Sequence, residues 1–141
     1  MVQWEAATLR EKLKALAELQ KVDLEVAALR KAADVLNRAQ RPAILAGRGA
    51  RGASAELLQV ADILGAPIAK ALLGKAAIPD DHPLTTGPIG LLGSTASDKL
   101  MEQCDALLIV GSSFPYIEYL PKPGQAAGVQ IDRDATRIGL R

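Results

Sequence analysis

The sequence predicts an α/β fold: a parallel sheet flanked by helices and preceded by an N-terminal helical extension. Three observations lead there. Beyond Gln40, short apolar runs alternate with Gly/Pro turns and short amphipathic segments, the pattern of repeated βα units. Before Gln40 there is neither Gly nor Pro, and almost every residue favours helix. Hydrophobic residues make up 49% of the 141 residues and aromatic ones only 3%, so the core is built from Leu, Ile, Val and Ala. One chain of this length holds one core, and strands alternating with helices give a parallel sheet with right-handed crossovers.

Along the chain, Thr8 and Glu11 have capping-box spacing, with the hydroxyl and the carboxylate each taking an open backbone N–H. Leu9, Leu13 and Leu16 follow at helical spacing, then Leu19, Val22, Val26, Leu29, Ala33 and Leu36. The register slips between Leu16 and Leu19, and Asp23 has the chemistry of a cap for a second helix. One long helix and two helices joined near Lys21–Asp23 both fit; an unbroken one would be roughly 45 Å long at 1.5 Å per residue. Pro42–Ala46 then reads as a short buried strand, Gly47–Gly52 as a turn, and Ala55–Leu64 as a helix. Ser54 is its expected cap and Gly65 its stop, with Leu57, Leu58, Ala61 and Leu64 inward. Pro67–Leu72 is the second strand. Gly74–Gly93 reads as a long loop, since Pro79, Pro83 and Pro88 exclude regular structure. Ser94–Gln103 is a short helix, and Asp105–Val110 is the most apolar strand, expected at the centre. Val129–Asp132 is the last.

Composition narrows the function. Lys and Arg number 17 against 16 Asp and Glu, a net charge of +1, so no basic surplus draws the chain to nucleic acid. No apolar run reaches the roughly 18 residues of a membrane span. The N-terminus does not read as a secretory signal, and a cytoplasmic location is expected. Cys104 stands alone and reads as a buried structural thiol. No metal-ligand spacing is present. His82, with Asp80 and Asp81 beside it, reads as part of a solvated turn.

The residues left with chemistry gather at one edge. Gly47, Gly49 and Gly52 have the spacing G-x-G-x-x-G between a strand and a helix, which allows backbone N–H groups to face a phosphate. It equally describes a tight turn with no ligand. Arg48 and Arg51 suit phosphate. Gly111, Ser112, Ser113, Phe114 and Pro115 follow the third apolar strand, and Asp132 ends the fourth, where a carboxylate suits a ribose diol or simply forms a turn. In open parallel sheets ligands bind beyond the carboxyl ends of strands.

From about Asp23 onward the chain resembles the central domain of thiamine-diphosphate-dependent enzymes, of the pyruvate dehydrogenase (quinone), pyruvate oxidase and acetolactate synthase type. The residues that carry this are Arg41-Pro-Ala-Ile-Leu-Ala-Gly-Arg-Gly-Ala50, Ala71-Leu-Leu-Gly-Lys75, His82-Pro-Leu-Thr-Thr-Gly-Pro-Ile-Gly-Leu-Leu-Gly93, Cys104-Asp-Ala-Leu-Leu-Ile-Val-Gly111, Phe114-Pro-Tyr116 and Val129-Gln-Ile-Asp132. The resemblance implies a six-stranded Rossmann-like sheet and, in the oxidase and acetolactate synthase branches, bound FAD. Carried over by position, Pro88, Ile89, Gly90 and Leu91 with Gly111–Pro115 would line the flavin nucleotide. Asp132 would approach its adenosine end, and Gly47, Arg48 and Gly49 its phosphates; ADP is the alternative ligand.

The family's Gly-Asp-Gly motif does not occur, so thiamine diphosphate is expected to play no part, nor any metal, and no catalysis is expected of the chain alone. Asp132-Arg-Asp-Ala-Thr136 stands where the family has Asp-x-Asp/Asn-Pro, and the chain stops before the family's last strand and helix. Residues 1–22 are expected as a helical extension and 23–141 as the incomplete central domain. Arg10–Val26 resembles the opening coiled coil of C4-type zinc-ribbon proteins, without their cysteines. That implies the alternative of an engineered chimera, a de novo structural protein self-associating through its helix or an exposed sheet edge, with a vestigial site.

Overall fold

The computed structural model describes residues 23–139. The capping box at Thr8 and Glu11, the leucine repeat up to Val22 and the extension over residues 1–22 lie outside the described residues. Contacts divide the chain into two compact units, Met1–Asp34 and Val35–Arg141. The first described element, α1, is helical through residues 23–38.

Five parallel strands follow: β1 (Pro42–Ala46), β2 (Ile68–Lys70), β3 (Thr85–Pro88), β4 (Ala106–Val110) and β5 (Ala127–Ile131), in the order β3-β2-β1-β4-β5. The α/β, Rossmann-like reading is what the structure shows, with five strands among the described residues where the resemblance implied six. The centre is β1, every residue of which is buried. The more apolar β4 lies one place out, in register from Pro42↔Ala106 to Ala46↔Val110. Chain order explains this: β1 starts the sheet, β2 and β3 add on one side, and β4 and β5 cross to the other.

Strand alternation builds two cores. Ile44, Ala46, Ile68 and Leu108 face one side, with Leu36 of α1 and with Leu57 and Ala61 of α2 (Ser54–Leu64). Ala43, Leu45, Ala69, Leu107 and Ile109 face the other, with Met101 of α3 (Thr95–Gln103). Each fully buried Ile or Leu side chain stabilises by roughly 1.5–3 kcal/mol. Leu58 and Leu64 pack only partly buried at the rim of the first core.

Gly65 closes α2 at φ +61°, and its N–H returns to the Ala61 and Asp62 carbonyls, as expected of a glycine stop. Ser94 caps α3, its hydroxyl accepting the Ser97 N–H. Ser54 does not cap α2: it is the first helical residue, its hydroxyl donates to the Arg51 carbonyl at 3.3 Å, and Ala53 takes the cap position.

One strand lies where a loop was expected. Thr85-Thr-Gly-Pro88 is β3, an edge strand, where a proline costs no ladder bond on its solvent side. Hydroxyls hold it rather than apolar alternation. The Thr86 and Ser97 hydroxyls share a hydrogen bond at 2.8 Å, the Ser94 hydroxyl donates to the Thr86 carbonyl at 2.6 Å, and that of Ser97 to the Gly87 carbonyl at 3.1 Å.

Candidate functional site at the carboxyl edge

The turns that leave β1, β2 and β4 meet backbone against backbone. A Cβ on Gly47 would stand 2.3 Å from the Gly111 carbonyl oxygen, and one on Gly49 2.7 Å from the Gly111 Cα. Gly111 itself has φ +58°, a conformation that favours glycine. Gly74, after β2, is pressed in turn against the Ala46 carbonyl and Gly47. Hydrogen bonds stitch this seam: Gly47 N–H donates to the Val110 carbonyl at 2.8 Å, Gly49 N–H to Gly111 at 3.0 Å and Gly111 N–H to Ile131 at 2.8 Å.

This arrangement commits three of the turn's amides. The amides of Gly47 and Gly49 serve the neighbouring turn, and that of Ala50 returns to the Gly47 carbonyl at 3.1 Å. The Arg48–Gly52 segment is a 3-10 turn rather than the start of α2. Arg48 and Arg51 are exposed.

The other expected residues lie close by. Ile89 and Gly90 are buried, Pro88 and Leu91 exposed, and Gly90 sits against the Phe114 ring, with φ +105°. The Ser112 hydroxyl is buried and accepts the Phe114 N–H at 3.2 Å. Phe114 packs in the second core and meets Tyr116 edge-on, ring centroids 5.5 Å apart, while Pro115 is exposed. Ser113 is exposed, and its hydroxyl accepts from Arg137 at 2.7 Å; Arg137 is also paired with Asp134 at 3.0 Å. Asp132 accepts the Asp134 N–H at 3.0 Å, the turn-forming geometry. So the structure joins Gly47 and Gly49 to Gly111, and Gly90 to Phe114. It turns Asp132 toward its own loop.

Two features escaped the sequence. Gly74 completes the seam. Lys70, the last residue of β2, is 1% exposed, and its ammonium donates to the Ile78 carbonyl at 3.0 Å and to the Asp80 carboxylate. Asp80 is therefore not simply solvated: Lys70 holds its carboxyl below the usual carboxylate range, first by the hydrogen bond and then by charge. The only sequence signal was a charge closing an apolar strand. His82 is half-buried, and its Nδ1 accepts the Leu84 N–H at 3.3 Å. Cys104 is buried as expected, and burial pushes its thiol up to about 11.

Exposed apolar residues crowd the same edge: Leu72 and Leu73 after β2, Leu91 and Leu92 after β3, Tyr116 and Ile117 after β4. Among the described residues no group of His, Cys, Asp or Glu could hold a metal ion, and no helix is long and apolar enough to cross a membrane.

Sheet order and the glycine seam define an α/β domain, and sequence comparison gives it a family. The model of the thiamine pyrophosphate enzyme central domain matches residues 29–141, and the chain belongs to that family. It is 43% identical over 109 residues to the "Putative thiamine pyrophosphate-containing protein YdaP" of Bacillus subtilis, covering 77% of this chain and 19% of that protein. It is 36% identical over 118 residues to a "Probable acetolactate synthase large subunit" of Methanocaldococcus jannaschii (79% and 20% covered). With the sulfoacetaldehyde acetyltransferase of Alcaligenes xylosoxydans it shares 39% over 122 residues (81% and 20%). A solved structure, that of a "putative thiamin diphosphate-dependent enzyme" from Mycobacterium smegmatis, superposes with TM-score 0.62 at 29% identity, covering 82% of this chain and 23% of that one. The chain thus spans about a fifth of the length of these curated relatives.

These findings correct three expectations. The family and its relatives are thiamine-diphosphate proteins, which overturns the reading that this cofactor plays no part. They equally overturn an isolated FAD or ADP domain, and the committed amides of Gly47 and Gly49 give the physical reason. An engineered chimera finds no support in these comparisons, which match residues 29–141 to one family. Thiamine diphosphate is bound through a metal held by carboxylate and carbonyl oxygens, and the described residues present no such donor set. They do not themselves fit that group.

Proposed function

We propose that this chain works as the central domain, residues 23–141, of a thiamine-diphosphate-dependent enzyme of the acyl-transferring kind. The observation that carries this is the unbroken family match over residues 29–141, which contains every strand of the sheet. The cofactor contributes carbanion stabilisation. This domain contributes a rigid wall. Gly47, Gly49 and Gly111 weld the turns together, and Pro88–Leu91 and Gly111–Pro115 face whatever lies beyond the strand ends. Ligands for the diphosphate and its metal come, in this reading, from the rest of the polypeptide, because the relatives are about five times as long.

The test uses the full-length protein. Added thiamine diphosphate with Mg2+ is expected to raise its melting temperature and to support turnover of a two-carbon donor, either pyruvate or, with phosphate as acceptor, sulfoacetaldehyde. No thermal shift together with no turnover of either donor rejects the reading. Light scattering on the same sample measures the self-association expected of the exposed Leu24 and Leu29 on α1.

A further inference from the structure

The buried lysine at the end of β2 is not explained by the wall just described. Its ammonium is out of water, and its two named acceptors, the Ile78 carbonyl and the Asp80 carboxylate, lie eight and ten residues downstream on the segment that leaves β2. A buried ammonium is tolerated only when paired and hydrogen-bonded. Asp80, by contrast, keeps its side chain 89% exposed. The pair is dry at one end and wet at the other.

The segment between is a strap. It starts at Ala71, whose N–H donates to the Ala46 carbonyl at 2.9 Å, and rises through the exposed Leu72 and Leu73. It then returns to bury Ala77 and Ile78 before reaching Asp80. We propose that the Lys70–Asp80 ion pair is the latch of this strap. With the pair made, the strap closes over the carboxyl end of β2 and fixes Leu72 and Leu73 at the working edge. With the pair broken, the Lys70 ammonium leaves for water, and Ile78 loses the donor on its carbonyl and comes away with it. Because the carboxylate is already solvated, the latch opens without first desolvating anything. This inference goes beyond the enzyme reading and does not depend on it.

Hydrogen exchange on the full-length protein tests it. Asp80→Asn is expected to speed exchange of the amides of residues 71–80 by about tenfold or more, because it leaves a buried charge unpaired, while β1 and β4 keep their protection. Asp80→Glu keeps the charge and is expected to stay closed. The double variant Lys70→Met with Asp80→Asn is expected to close again, since an unbranched apolar chain needs no counter-charge. Should Asp80→Asn fail to fold, native-state exchange of the wild-type protein carries the test, with residues 71–80 expected to open on their own and at lower denaturant than β1 and β4. The latch is overturned if Asp80→Asn exchanges like wild type, if the double variant is no more protected than the single one, or if residues 71–80 open only together with β1 and β4, in the variant or in wild type.

Discussion

At the amino edge of the sheet, side chains hold backbone. The Asp105 carboxylate accepts the N–H groups of Gln40 and Arg41, both at 2.9 Å, and the Gln125 amide donates to the Met101 and Cys104 carbonyls at 2.8 and 3.0 Å. At the carboxyl edge, backbone holds backbone: Gly47, Gly49, Gly74 and Gly111 close on one another with no room for a Cβ. The first kind of joint tolerates neighbours of many shapes, and its Asp105 arm answers to pH. The second answers to volume and is indifferent to charge. A volume-sensitive joint has one geometry or none, so the turns at the carboxyl edge are fixed relative to one another.

Gly47→Ala breaks the comparison most forcefully. Its Cβ would meet the Gly111 carbonyl and the Ser112 Cβ, neither of them the end of a flexible chain. The expected loss is about 3 kcal/mol or more, with the overpacked turn displacing the Gly111 loop. Urea unfolding measures it, and a loss below about 1 kcal/mol would show that the seam gives way easily. Next comes Ser97→Ala. Ser97 is wholly buried and ties α3 to β3 through Thr86 and Gly87, so its removal strands those partners and costs about 1–3 kcal/mol.

The amino edge is tested by acid. Hydrogen bonds from the Arg41 and Gln40 backbone N–H groups hold the Asp105 carboxyl below the usual carboxylate range. A depressed folded-state value means that this contribution is complete at neutral pH, above the unfolded value. It is lost as pH falls through the folded one, below about 4. Unfolding midpoints of wild type and Asp105→Asn should therefore differ at pH 7 and converge toward pH 3. Asp80 and Asp134 titrate alike in both proteins, so they cancel. A constant gap across that range would refute the clamp.

Local signals in the sequence told the truth where a local cause sufficed. The apolar runs of β1 and β4 and the glycine stop at Gly65 all follow from spacing within a few residues. What was misread depends on distant partners. Thr85–Pro88 has no apolar alternation and becomes a strand only because β2 and the hydroxyls of α3 receive it. Lys70 and Asp80 are joined by the path of the strap, which their types alone do not give. The centre of the sheet went to β1 rather than to the more apolar β4 because strand order follows connectivity.

The glycine motif shows the same limit within six residues, and its last member gives the gentlest test. Gly47 and Gly49 are demanded by Gly111, which lies far along the chain, so their spacing mimics a phosphate cradle while serving a seam. Gly52 completes the pattern on paper only: a Cβ there meets nothing within 4 Å, and its φ is not positive. Gly52→Ala is expected to be neutral or to stabilise by about 0.4–1 kcal/mol, since alanine narrows the unfolded ensemble without straining the fold. If it instead destabilised the protein as Gly47→Ala does, the 3-10 turn itself, rather than its contact with Gly111, would be what the motif protects.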